Sequence, residues 1–232
     1  GGTVFMTGCR NYRMWILTIT YGYCFGVELT INNVIAGYLG DQFDLDIKVA
    51  GVLGSCFGLM NIMCRSFGGW LSDFTAKKMG MRGRLWTLWI LQTVEGVMCI
   101  VMGLCKDSLG ATIATMIIFS VFVQAAEGAT FGVVPFVSKR ALGIVSGFVG
   151  AGGNAGSSIT QTLFFKPVSI ETHEGFVFLG IMVIAVTVLV VFIHFPAWGS
   201  MFFKGNPEKT EQDYYRSEEH RLNSSHPSRS RM

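Results

Sequence analysis

Apolar residues gather into six windows, at about 14–37, 47–72, 84–105, 109–136, 140–165 and 175–196, separated by short polar or charged connections. Each holds enough residues to cross about 30 Å of hydrocarbon as a helix. The last, Phe176 to Phe195, carries no formal charge apart from a protonated His194, whereas 109–136 contains Glu127 and ends at Pro135. The pattern predicts an all-α membrane protein. Six transmembrane helices span 14–196, after a lead-in over 1–13 and before a tail over 197–215.

Within the windows, polar and small residues recur at helical spacing. Tyr21, Phe25, Glu28 and Asn32 share one face, as do Gly54, Gly58, Asn61, Arg65 and Gly69. Gln124, Glu127, Phe131 and Pro135 line up in the fourth window, and Gly147, Gly150, Asn154, Ser157 and Gln161 in the fifth. Such stripes suit the interior of a bundle. Gly143, Gly147, Ala151 and Ala155 are four apart, as are Gly152 and Gly156, a small-residue pattern that lets two backbones touch. Asn154, an amide among glycines, can hydrogen-bond a partner helix or an oxyanion. Glu28 is read as the partner of a cation or of a neighbouring amide. Glu127, after two alanines, is read as a packing or hydrogen-bonding group, and Glu95 is given no role.

Arg65 changes the picture most. An arginine near mid-membrane costs roughly 3 to 15 kcal/mol, depending on its reach to water. Two readings compete. Arg65 lies about 12 Å of helix from Asp73, so its head can snorkel to the interface. Alternatively it faces a cavity and binds an anion.

Charge asymmetry orients the bundle. Arg10, Arg13, Lys77, Lys78, Arg82, Arg84, Lys139 and Arg140 fall on one side. The other side has Lys48, Lys106 and Lys166 beside Asp41, Asp44, Asp46, Asp107, Glu171 and Glu174. By the positive-inside rule the first set, and both chain ends, are cytoplasmic. The connection Gly69-Trp-Leu-Ser-Asp73, followed by Lys77, Lys78, Gly80, Arg82 and Arg84, reads as a charged clasp between two cytoplasmic helix ends.

Composition agrees. Only 14% of the 232 residues are charged and half are hydrophobic, against about 25% charged in soluble domains; mean hydropathy is +0.47. The 29 glycines suit close membrane packing. A net charge of +3, without basic runs interleaved with aromatics, argues against a nucleic-acid partner. Six scattered cysteines form no C-x-x-C, and four histidines show no ligand spacing, so no metal, cofactor or enzymatic activity is expected. The chain opens Gly-Gly-Thr, read as a non-native start. Its end, 216–232, turns abruptly to Ser, Arg and His and reads as an artefactual or disordered tail resembling translated sequencing adapter.

Several of these segments carry a family resemblance. The Gly69–Arg84 loop resembles the gating motif of the major facilitator superfamily, and Gly150-Ala-Gly-Gly-Asn154-Ala-Gly156 resembles the signature of its nitrate/nitrite porters. Asn11-Tyr-Arg-Met-Trp15, Tyr21-Gly-Tyr23, Gly26-Val-Glu-Leu29, Phe67-Gly-Gly-Trp-Leu-Ser-Asp73, Met81-Arg-Gly-Arg-Leu-Trp86 and the run His194 to Phe202 resemble the high-affinity nitrate transporters of plants and green algae.

The resemblance runs from about Asn11 to Tyr215 and implies helices seven to twelve of a twelve-helix carrier, one half of the bundle. It implies proton-coupled uptake of nitrate, or of nitrite, at the plasma membrane by alternating access. The missing N-terminal half would be a partner, and a single-span accessory protein another. By this resemblance Arg65 matches the substrate arginine of the second half, joined by Tyr21, Asn154, Gly152 and Gly153. Glu28 is the expected proton-coupling residue, and Gly69, Asp73, Lys77, Arg82 and Arg84 form the gating loop. A nitrate sensor without transport, or a facilitator carrier of a different small anion, remains open at this stage.

Overall fold

The computed structural model describes residues 2–206, 208 and 216. Except for Arg216, the expected artefactual tail lies outside the described residues. The described residues form helices joined by short turns, with two isolated β-bridges, Phe195 to Gly199 and Gly199 to Lys204.

Helix α1 (Gly2–Arg10) leads to α2 (Tyr12–Tyr21), which starts where the Asn11 side chain accepts the Arg13 backbone N–H at 3.1 Å. The first window was expected as one helix, 14–37. It is instead broken at Gly22, and α3 (Phe25–Phe43) restarts beyond the break and runs to Asp44, whose φ is 51°. It outlasts the apolar window because Tyr38 and Leu39 are buried against the bundle. Helix α4 (Ile47–Leu59) and α5 (Asn61–Met79) run end to end through Met60. They pass the expected limit at residue 72, since Lys77 and Lys78 in the last turn suit the helix dipole. Gly80, at φ 63°, ends the run with a conformation that glycine adopts freely.

Helix α6 (Met81–Leu104) and α7 (Leu109–Phe131) follow, the latter trailed by a short 3-10 turn over Val134–Phe136 that contains Pro135. Helix α8 (Leu142–Thr160) continues into a π turn, Gln161–Phe165. Helix α9 (Thr172–Thr187) opens with a Glu171/Glu174 capping box and tightens to 3-10 over Val188–Phe192.

Among the described residues, five stretches are long and apolar enough to cross a membrane: Tyr12–Phe43, Ile47–Met79, Met81–Leu104, Leu109–Phe136 and Thr172–Phe192. The expected sixth, 140–165, is helical but falls outside that set, because its glycines, serines and Asn154 dilute its hydropathy. Its place is set by packing instead.

Glycine seams join the helices in three pairs. Between α8 and the α2–α3 break, Gly156 meets Gly22, Gly152 meets Thr18, and Gly26 meets the Gly153 carbonyl. Between α5 and α7, Gly68 meets Ala125 and Gly128 meets the Arg65 carbonyl. Between α6 and α9, Gly96 and Gly180 meet each other. Helices without a hydrophobic drive between them associate through such close backbone contact.

Two apolar clusters fill the interior. One, around Met14, Leu17, Leu85, Leu88 and Val145, lies toward the basic end; the other, around Ile31, Ile35, Phe57, Phe119 and Phe176, lies toward the acidic end. Buried polar side chains collect where they meet. Gln92 and Glu95 fall between Leu91 of the first cluster and Cys99 of the second, and Gln124 between Val123 and Ala125.

Candidate functional site

Arg65 lies at this junction. It stands about 21 Å of helix from the end of α5 and about 27 Å from the start of α4, so it is central in depth. Its side chain turns into the bundle. Nη2 donates to the Tyr21 hydroxyl at 2.9 Å and also engages a Glu127 carboxylate oxygen in an ion pair. The guanidinium carbon sits 5.5 Å from the Phe25 ring centroid, a cation–π distance. Snorkelling is therefore not the conformation adopted.

Each partner is placed by a local device. Tyr21 closes α2 and Phe25 opens α3, so the break at Gly22 puts both rings on one shelf, stacked at 5.4 Å. Phe131 meets Tyr21 edge-on at 5.4 Å. The carbonyls freed by the break are taken up by Gln92, whose amide donates to Thr20 at 2.8 Å and to Tyr23 at 3.4 Å. Glu127 is brought in by its neighbour Gly128, whose missing Cβ lets α7 touch the Arg65 backbone. Glu127 is fully buried, whereas the Arg65 side chain keeps 37% exposure. One flank of the guanidinium is open and the other is held by a carboxylate.

Glu28 lies alongside. It accepts from the Asn61 amide at 2.7 Å. This realises the sequence reading of Glu28 as a partner of an amide. Glu127 was missed as a member of the site. The i, i+3 stripe Gln124–Glu127 carried it, but nothing in sequence says which helix faces Arg65.

The glycine-rich helix acts at one remove. A Cβ at Gly153 would run into the Phe25 ring, and Gly152 lies against Thr18. Gly153 contacts the shelf and Gly152 the turn of α2 before it; neither touches the guanidinium. Asn154, the next residue, is exposed. Among the described residues, Glu95 and Gln124 are fully buried and make no side-chain hydrogen bond.

At the basic end the expected clasp is present. Arg84 pairs with Asp73 at 2.7 Å, donates to the Ser72 hydroxyl at 3.3 Å and lies over the Phe136 ring at 5.0 Å. Arg82 Nε and Trp86 Nε1 both donate to the Met201 carbonyl at 2.9 Å. A Cβ at Gly69 would lie 3.9 Å from the Gly128 carbonyl, in ordinary contact, and Lys77 is exposed.

Chemically, an open planar cation on an aromatic shelf with one hydroxyl suits a small planar oxyanion, whose oxygens match forked N–H donors.

Similarity to known proteins bears on this. "Nitrate transporter 2.2" of Chlamydomonas reinhardtii is 55% identical over 217 residues, covering 91% of this chain and 42% of its own length. "High affinity nitrate transporter 2.5" of Arabidopsis thaliana is 50% identical over 218 residues, 94% of this chain and 43% of its own. "Nitrate/nitrite transporter NrtP" of a Picosynechococcus strain is 33% identical over 236 residues, 92% of this chain and 41% of its own. The chain thus spans less than half the length of these relatives. No family model matches it, and no solved structure matches it.

Proposed function

Because this chain belongs to the nitrate transporter family of the major facilitator superfamily, we propose that it is the C-terminal six-helix half of a carrier that takes up nitrate. The observation that carries this reading is the inward turn of Arg65 onto Tyr21 and the Phe25 shelf, with one side of its guanidinium left open. A buried arginine held away from lipid, at the depth where facilitator sites lie, matches a flat monoanion.

In this reading Arg65 binds the anion, Tyr21 orients it, and Gly152 and Gly153 set the shelf. Asn154, exposed here, reaches the anion from the open flank once the other half is in place. That half covers the apolar face of α4 and α5, where Ile62 and Met63 are both 76% exposed. Rocking of the two halves exposes the site alternately. The Asp73–Arg84 pair closes the basic end in one of the two states. The membrane is the plasma membrane with both ends cytoplasmic, and protons accompany the anion. A single-span accessory protein is a further partner.

The test is nitrate uptake by the full-length carrier in proteoliposomes. Arg65→Lys keeps the charge and loses the fork, so uptake should fall by about 100-fold or more, which corresponds to two charge-assisted hydrogen bonds. Wild-type uptake by this variant would overturn the assignment. Nitrate binding without flux in the parent carrier would identify a sensor instead.

A further inference from the structure

The guanidinium that nitrate needs is already occupied on its buried side. Glu127 is fully enclosed and its carboxylate engages the same nitrogen, Nη2, that bonds Tyr21. Beside it, Glu28 accepts from the Asn61 amide at 2.7 Å. Arg65 and Glu127 form a neutral pair: one guanidinium, one carboxylate.

A monoanion added to this site leaves an uncompensated negative charge in the bilayer interior, which is strongly unfavourable. Neutrality returns if one proton arrives with it. We propose that Glu127 is the group that takes this proton, giving up its hold on Arg65 as nitrate takes over the guanidinium. Before binding, the site carries Arg65⁺ and Glu127⁻. Afterwards it carries Arg65⁺, NO₃⁻ and a neutral Glu127, and the proton comes from the water that delivers the anion. Release reverses both: the proton leaves Glu127, its carboxylate re-forms the ion pair, and nitrate is expelled.

This rests on the nitrate reading above and moves the coupling role from Glu28, where the sequence placed it, to Glu127. Glu28 bonds an amide rather than the guanidinium and does not compete for it. The ionisable groups facing Glu127 are Tyr21 from α2, Cys24 at the break, Glu28 from α3, Arg65 from α5 and Glu95 from α6. Of those on α4, Lys48 lies at the outer end, and the Cys56 thiol donates to its own helix at Val52. Arg65 is the only cation among these neighbours, so it is the group that the carboxylate and the anion contest.

The experiment measures nitrate affinity of the full-length carrier across a pH series, together with charge moved per nitrate in proteoliposomes. In the parent, Kd should weaken by about tenfold per pH unit where one proton is taken up with each anion. Glu127→Gln should flatten that slope and make transport carry net negative charge. Glu127→Asp, which restores a titratable carboxyl, should restore the slope, and Glu28→Gln should keep it. A slope that survives in Glu127→Gln, or that vanishes in Glu28→Gln, overturns the proposal. A parent that binds no nitrate at any pH defeats the nitrate reading itself, a different result.

Discussion

The Cα of Gly128 faces the backbone carbonyl of Arg65 so closely that a Cβ there would overlap the oxygen. The contact is backbone on backbone, so no rotamer change relieves it. Gly128→Val should therefore push α7 off α5 and destabilise the carrier by about 1 to 3 kcal/mol, as overpacking does. Gly143→Ala is the opposite case. Nothing lies within 4 Å of the position that Cβ would take, and alanine favours a helix by up to about 1 kcal/mol. Thermal unfolding in detergent should move down for the first and hold or rise for the second. Equal shifts would show that the seam is not tight.

Tyr21→Phe keeps the stack on Phe25 and removes one hydroxyl from the guanidinium. Hydrogen bonds to charged groups contribute about 1.5 to 3 kcal/mol. Nitrate affinity should drop by about tenfold or more, with little change in melting temperature. Unchanged affinity, read by calorimetric titration, would put the hydroxyl outside the binding event.

How much of this was written in the sequence depends on the kind of feature. Arg65 was legible because a charge in an apolar window is rare and physically expensive. The Asp73–Arg84 clasp was legible because both residues flank a short turn, so chain connectivity alone brings them together. Glu127 was not, since its meeting with Arg65 depends on which face of α7 touches α5, and that is settled by Gly68, Gly128 and Ala125 in three dimensions. The break after Tyr21 was hidden for a similar reason. Gly22 lies in a continuous apolar window, and only its seat against Gly156 and the Gln92 bonds to the freed carbonyls reveal the interruption. The glycine-rich helix was read both as a packing seam and as a ligand contact, and the seam is seen where Gly152, Gly153 and Gly156 lie against Thr18, Phe25 and Gly22.

The clasp itself divides unequally. Asp73 is largely exposed, with a side chain 65% accessible, whereas that of Arg84 is 15% accessible. Asp73→Asn should cost no more than about 1 kcal/mol, as surface pairs do. Arg84→Ala also loses the Ser72 hydroxyl and the Phe136 ring, so packing is lost with charge, and about 1 to 3 kcal/mol is expected. A larger loss for Asp73→Asn than for Arg84→Ala, by thermal melting, would refute this ordering.

Glu95 has no hydrogen-bond partner for either carboxyl oxygen among the described residues, at full burial. Replacing a buried unsatisfied polar group with an apolar one of similar shape is near neutral or stabilising. Glu95→Leu should leave the melting temperature unchanged or raise it. If the protein then still folds but uptake collapses, Glu95 serves transport; if it unfolds, an internal partner must hold the carboxyl.

The Met201 carbonyl accepts from both Arg82 and Trp86. The segment after the last span is thereby strapped to the first turns of α6, two places far apart along the chain. A tag or a protease site inserted ahead of Lys204 would cut this tether and loosen the α5–α6 corner from a distance, so reporters belong beyond it.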